Sequence, residues 1–141
     1  LWGDATLLTT ATQGDHDMVA QLENPVLDFG LNQLSTLASY LSICSTEPTT
    51  LAIAATSGLL GYKSWGVGGV FGAPAAGSPN GRMVSSNSIT DGTITTSGTA
   101  SWWAVYAAGT LYAHGTLSAA QVVTAGNTFT LTSFNIRIPN Q

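Results

Sequence analysis

The spacing of apolar side chains along this chain changes period several times, and those changes outline its elements. Leu31, Leu34, Leu37 and Ala38 fall on one face at helical spacing, with Asp28 where an N-cap would stand. A short amphipathic helix is predicted over 31–38. The period then shortens to two. Leu41 and Ile43 point one way, Ser42 and Cys44 the other, the pattern of a half-buried strand. Glu47-Pro48 stops it, because proline lacks the donor that a ladder needs. Thr50–Thr56 reads as a further strand. Residues 1–28 hold no sustained period; Thr6–Thr12 reads as a short strand and Gln13–Asp17 as a turn.

The C-terminal part carries the clearest β signal. Arg82–Ile89 leads into Thr90-Asp91-Gly92-Thr93, where Asp-Gly favours a tight hairpin turn with positive φ. Thr93–Thr96 follows as a short strand. Thr99–Tyr106 is apolar on both faces, with Trp103 and Val105 on one and Trp102, Ala104 and Tyr106 on the other. That predicts a central strand covered on both sides. A turn at Ala107-Ala108-Gly109 leads to Leu111–Thr116, with Leu111, Ala113, Gly115 and Leu117 on one side and Tyr112 and His114 on the other. Gly126-Asn127 opens the last strand, where Phe129 and Leu131 have one parity and Phe134, Ile136 and Ile138 the opposite one. A bulge near Thr132-Ser133 would let both sets face one core. The predicted fold is mostly β: an antiparallel two-layer β-sandwich of jelly-roll-like form, with one short helix and an extended N-terminal arm. The arm or edge element takes residues 1–30, and the sandwich takes 31–141.

A Gly-rich excursion at 58–81 interrupts the sandwich. It holds Gly58, Gly61, Gly66, Gly68, Gly69 and Gly72, and the aromatic residues Tyr62, Trp65 and Phe71 are spaced through it. Loops of this length in compact domains are uncommon and often functional. An excursion that meets another subunit accounts for both the glycines and the aromatics.

Charge changes the picture more than any motif. The 141 residues include 3 Lys or Arg and 7 Asp or Glu, a formal charge of −4 at pH 7, and charged residues make up 7% of the chain. Ordinary soluble domains have about 25%. Ser, Thr, Asn and Gly take their place, and these hydrogen-bond to water or to a neighbour at small desolvation cost. Such a surface suits burial in an assembly; secreted β-proteins share it. Lys63, Arg82 and Arg137 are too few for the counterion release that drives direct nucleic-acid binding. No run of 18 apolar residues predicts a membrane span, and no basic stretch before an apolar core reads as a signal peptide. Cys44 is single, so no internal disulfide is expected.

Candidate chemistry is thin. His114 lies on a strand beside Tyr112 and Thr116, with no nucleophile or carboxylate near it in sequence. Asp15, His16 and Asp17 fit neither a zinc nor a calcium spacing and read as a solvated turn. Cys44 has no basic neighbour to lower its pKa and reads as an inert buried thiol. Gly66-Val67-Gly68-Gly69 lacks the Lys-Ser or Lys-Thr of a phosphate cradle. Trp102-Trp103, with Tyr106 and Tyr112, could stack on sugar rings, but strand parity divides the two tryptophans between opposite faces. No enzyme, cofactor or metal is expected.

Several phrases are distinctive together: Leu41-Ser42-Ile43-Cys44-Ser45-Thr46-Glu47-Pro48-Thr49-Thr50, Pro79-Asn80-Gly81-Arg82, Ile89-Thr90-Asp91-Gly92, and the run Gly126-Asn127-Thr128-Phe129-Thr130-Leu131 with Phe134-Asn135-Ile136 and Ile138-Pro139. In them the chain resembles, over about residues 31–139, a family of small virion structural proteins of tailed bacteriophages and prophages. Residues 51–78 match less well and are richer in Gly, Ala and Trp than that family. The resemblance implies a particle component with no catalytic residues to carry over. A capsid decoration, or cement, protein on the outer surface of the capsid is the first expectation. It would be a homo-oligomer, such as a trimer, seated over junctions of the major capsid protein or against other virion proteins. A tail, connector or head-fibre component is a rival within the particle. A carbohydrate-binding module using Trp102 or Tyr106 is a rival of another class. The expected interface residues are Trp65, Phe71 and Tyr62 in the excursion and Trp2 in the arm.

Overall fold

The computed structural model describes residues 22–139, and Trp2, the Thr6–Thr12 strand and Asp15–Asp17 lie outside the described residues. Helix α1 spans Asn24–Leu37, with Pro25 in its first turn, where a missing N–H breaks no helical bond. It therefore starts seven residues before the predicted 31–38, inside the stretch assigned to the arm. Its buried stripe is Leu27, Leu31 and Leu34, while Leu37 is exposed. Asp28 is no cap. Glu23 holds that position without a side-chain bond, and Asp28 sits a turn further on, gripping Arg82. Ala38 leaves the helix in extended conformation.

Nine strands follow: β1 Tyr40–Cys44, β2 Leu59–Ser64, β3 Ala75–Ala76, β4 Arg82–Ser85, β5 Ile89–Ile94, β6 Gly98–Ala107, β7 Thr110–Val123, β8 Thr128–Leu131 and β9 Asn135–Ile138. They form two antiparallel sheets. One has six strands in the order β7-β6-β1-β2-β5-β8 and curls as a half-barrel; the other has three, β3-β4-β9. The domain is mostly β, as expected. The helical content is higher, because Leu51–Ser57, overlapping the predicted strand Thr50–Thr56, is helical and its last five residues, Ile53–Ser57, are a π-helical turn. Leu51, Ala54 and Ala55 lie three and four residues apart, a helical period that the β-branched threonines obscured.

Phe71, Leu41, Ile43, Leu60, Val105 and Val84 lead the main core, which the two sheets and α1 enclose. The excursion is not one loop. Its first part is β2, a central strand between β1 and β5. Its later part runs beside the end of β4: Gly72 N–H donates to the Ser85 carbonyl at 3.0 Å, and Asn87 N–H to that of Val70 at 2.9 Å. A smaller apolar cluster lies behind the large sheet, where Ala54 meets Ala104 and Tyr106. Strand β1 is covered on both faces and not half-buried: Leu41 and Ile43 face the main core, while Ser42 and Cys44 meet the π-helical turn. Strand β6, flanked by β7 and β1, is central as predicted.

Two local expectations, a turn and a bulge, are replaced by other features. Asp91-Gly92 is not a hairpin turn but lies within β5, at a register irregularity opposite β8. Gly92 is needed there because a Cβ on it would overlap the Phe129 ring. The expected bulge at Thr132-Ser133 is instead the crossing from one sheet to the other. Phe129 and Leu131 leave from β8, and Phe134, Ile136 and Ile138 arrive on and beside β9, all against the same core. A change of sheet does what a change of parity was expected to do.

Candidate functional site

Among the expected interface residues, Phe71 is displaced most. It is 4% exposed, inside the main core, and its ring meets that of Phe134 edge-on with centroids 6.0 Å apart. The antiparallel bridge Phe71↔Ser86 carries it inward. Phe71 is a core residue and not a contact anchor. Trp65 is half-buried against the same core; its backbone N–H donates to the Ser39 carbonyl at 3.0 Å, and the Lys63 ammonium lies 5.9 Å from its ring centroid. Gly66 and Gly68 have φ of 85° and 80°, and Gly68 N–H bonds to Ala38. These glycines fold a tight turn against the end of α1.

Tyr62 is half-buried, in company the sequence did not indicate. It projects from β2 toward Tyr40 on β1, with ring centroids 6.3 Å apart, and Tyr40 stacks on Tyr106 of β6 at 5.2 Å, 9° from parallel. The pairings Ser42↔Tyr62 and Tyr40↔Tyr106 bring the three rings together from three strands. With Leu51, Ala55 and Leu59 they line an open cleft of about 430 Å³ on the back of the large sheet. Tyr106 is 7% exposed. Burial pushes its phenol up to about 12, with the neighbouring Cys44 and tyrosines adding to the shift. Its hydroxyl stays protonated and neutral at physiological pH.

A second cleft, of about 400 Å³, opens where the half-barrel fails to close. Strands β7 and β8 are the two edges of the six-stranded sheet, yet only Thr124–Asn127 separates them in sequence. They start together at that turn, where Gly126 N–H bonds to the Ile94 carbonyl at 2.9 Å, and then diverge. Strand β7 bends away because Trp102 pairs with Thr116 but Ala100 pairs with Gln121, so extra residues bulge out between. The floor of the gap is apolar, with Ile43, Ile94 and Phe129, and its rim is hydroxyl- and amide-rich, with Ser118, Gln121 and Thr130.

The remaining chemistry is sparse. His114 Nε2 lies 3.5 Å from Glu47 Oε1, a partner supplied by the distant β1–β2 connection, and both side chains are well exposed. No nucleophile joins them among the hydrogen bonds of the described residues. Cys44 is fully buried, its Sγ 3.8 Å from the Ala54 carbonyl, and burial pushes its thiol pKa up. Trp103 packs on Phe134 at 4.5 Å, with Gly115 against its indole, so it is a packing residue; Trp102, on the opposite face, is half-buried. Among the described residues no group of three His, Cys, Asp or Glu could hold a metal ion, and no helix is long and apolar enough to cross a membrane. Comparison of the chain with protein families, with curated proteins and with solved structures finds no match.

Proposed function

We propose that this chain is a structural component of a bacteriophage particle: a capsid decoration or cement protein that binds as a homo-oligomer, such as a trimer, over junctions of the major capsid protein on the outer surface. One observation carries the reading. From Gly92 to Ile136 the sequence has no Lys, Arg, Asp or Glu, and this stretch supplies β6, β7 and β8, including both free edges of the large sheet. Free-standing β-proteins guard such edges with charges or proline. Here neither charge nor proline guards the edges, leaving only the bulge in β7 and the short length of β8, which is what a surface covered by a neighbour permits. The phrases that resemble virion structural proteins add the identity of that neighbour. Two sheets around one core fit the expected sandwich, and its jelly-roll-like character belongs to this proposal.

Copy number and position in an intact particle test the reading. A shell protein is present in copies on the order of hundreds, following the repeated symmetry of the shell, whereas a tail, connector or head-fibre part is present in roughly a few to dozens. Quantitative mass spectrometry with cryo-electron microscopy separates these. A chain that is a stable monomer and attaches to no particle sinks the proposal. The tyrosine cleft supports a second reading, a carbohydrate-binding module, with Tyr62 and Tyr40 as the stacking surface rather than Trp102 or the buried Tyr106. Sugar binding on a glycan array, abolished by Tyr62→Ala, would favour it.

A further inference from the structure

We propose that the gap between β7 and β8 is a strand-acceptor slot, and that the strand it takes is Thr6–Thr12 of a neighbouring copy of this chain. The proposal deepens the assembly reading and rests on its premise that copies meet, but not on the identity of the particle.

The slot has the features that strand addition requires. Among the described residues, each of its walls is an edge strand whose outer backbone groups pair with no other strand, so each offers a row of donors and acceptors. Strand β7 runs opposite to β8, since five successive antiparallel pairings separate them. An inserted strand would lie antiparallel to one wall and parallel to the other, closing the half-barrel. Val122, on the β7 wall, is 81% exposed, a large apolar side chain left in water unless something covers it.

The sequence of the segment matches the slot in length, pattern and charge. Thr6-Leu7-Leu8-Thr9-Thr10-Ala11-Thr12 contains no charged residue, no glycine and no proline, and three of the charge-free wall's own residue types (Thr, Leu and Ala) make it up. Alternation puts Leu7, Thr9 and Ala11 on one face, suited to the apolar floor, and three threonines with Leu8 on the other. Seven extended residues run about 23 Å, enough to cover β8 and the bent part of β7. Residues 13–22 separate this segment from the start of α1, a length of chain that spans about 33 Å if fully extended, enough for the segment of one copy to reach another. Inserting it strips no charge of water on either side.

The test uses the full-length chain with Cys44→Ser as background, in two single-cysteine forms, Thr9→Cys and Val122→Cys, mixed and oxidised. An interchain Thr9–Val122 disulfide is expected, at least tenfold more abundant than with Ser57→Cys, an exposed residue on the back of the large sheet. Equal yields with Ser57→Cys overturn the proposal. So does a link formed only within one chain when both cysteines are placed together. Thr9→Pro, which removes the donor that a ladder at this position would need, is expected to reduce the assembly to monomer mass in light scattering with the circular dichroism unchanged; an unchanged mass overturns the proposal. A chain that cross-links in this way but joins no particle sinks the particle reading alone. A chain that decorates particles without the cross-link sinks the slot alone.

Discussion

Three residues give point mutations a direct readout. Phe71 fills the main core, so Phe71→Ala should cost about 3–5 kcal/mol in denaturant unfolding. A contact anchor on the surface would lose almost nothing. Gly92 leaves room for the Phe129 ring, and Gly92→Ala forces one of them to move; a loss of about 1–3 kcal/mol is expected, relieved in part by Phe129→Leu in the same chain. Tyr106 gives a pH signature. Its folded-state pKa of about 12 lies above the ordinary 10, so the unfolded chain gives up that proton first as pH rises. Stability is intact below about pH 10 and falls between about 10 and 12, by roughly 3 kcal/mol at most for two pKa units. Tyr106→Phe should flatten that fall in pH-dependent unfolding curves.

At the scale of elements, α1 is held to the small sheet by charge as well as by its leucines. Arg82 Nε donates to Asp28 Oδ1 at 2.6 Å and Arg82 Nη2 to Asp28 Oδ2 at 3.1 Å. A lysine cannot reproduce that two-point grip. Arg82→Lys should therefore lower the thermal midpoint and loosen amide-exchange protection in α1, whereas Lys63→Ala, which removes an exposed pair with Asp91, should change the midpoint little. The elements legible in sequence were those whose pattern is local. The helical leucines, the double-sided apolar run of β6 and the Ala107–Gly109 turn all depend on neighbours in the chain. The misread ones depend on distant partners. Asp91-Gly92 has turn chemistry, yet β2 and β8 hold it in a strand, and the glycine answers a ring 37 residues away. Phe71 looked like an exposed aromatic in a Gly-rich loop because nothing nearby in sequence announces its bridge to Ser86. The tyrosine cleft was half visible: Tyr62 and Tyr106 were both singled out, but only strand register brings them to Tyr40.

For the molecule as a whole, the absence of charge has a measurable counterpart. Association through uncharged edges should be nearly indifferent to ionic strength, because screening weakens only charged contacts. Self-association constants measured by sedimentation at 50 mM and 500 mM salt should agree within about threefold; a steep fall with salt would point to Asp, Glu, Lys or Arg at the interface. Cys44 makes the interior of this architecture observable. It lies in the middle of the large sheet, roofed by the π-helical turn, and among the described residues it is the one thiol. A thiol-reactive dye can reach it only while that roof lifts or the sheet parts, so its labelling kinetics act as a clock for breathing of the fold.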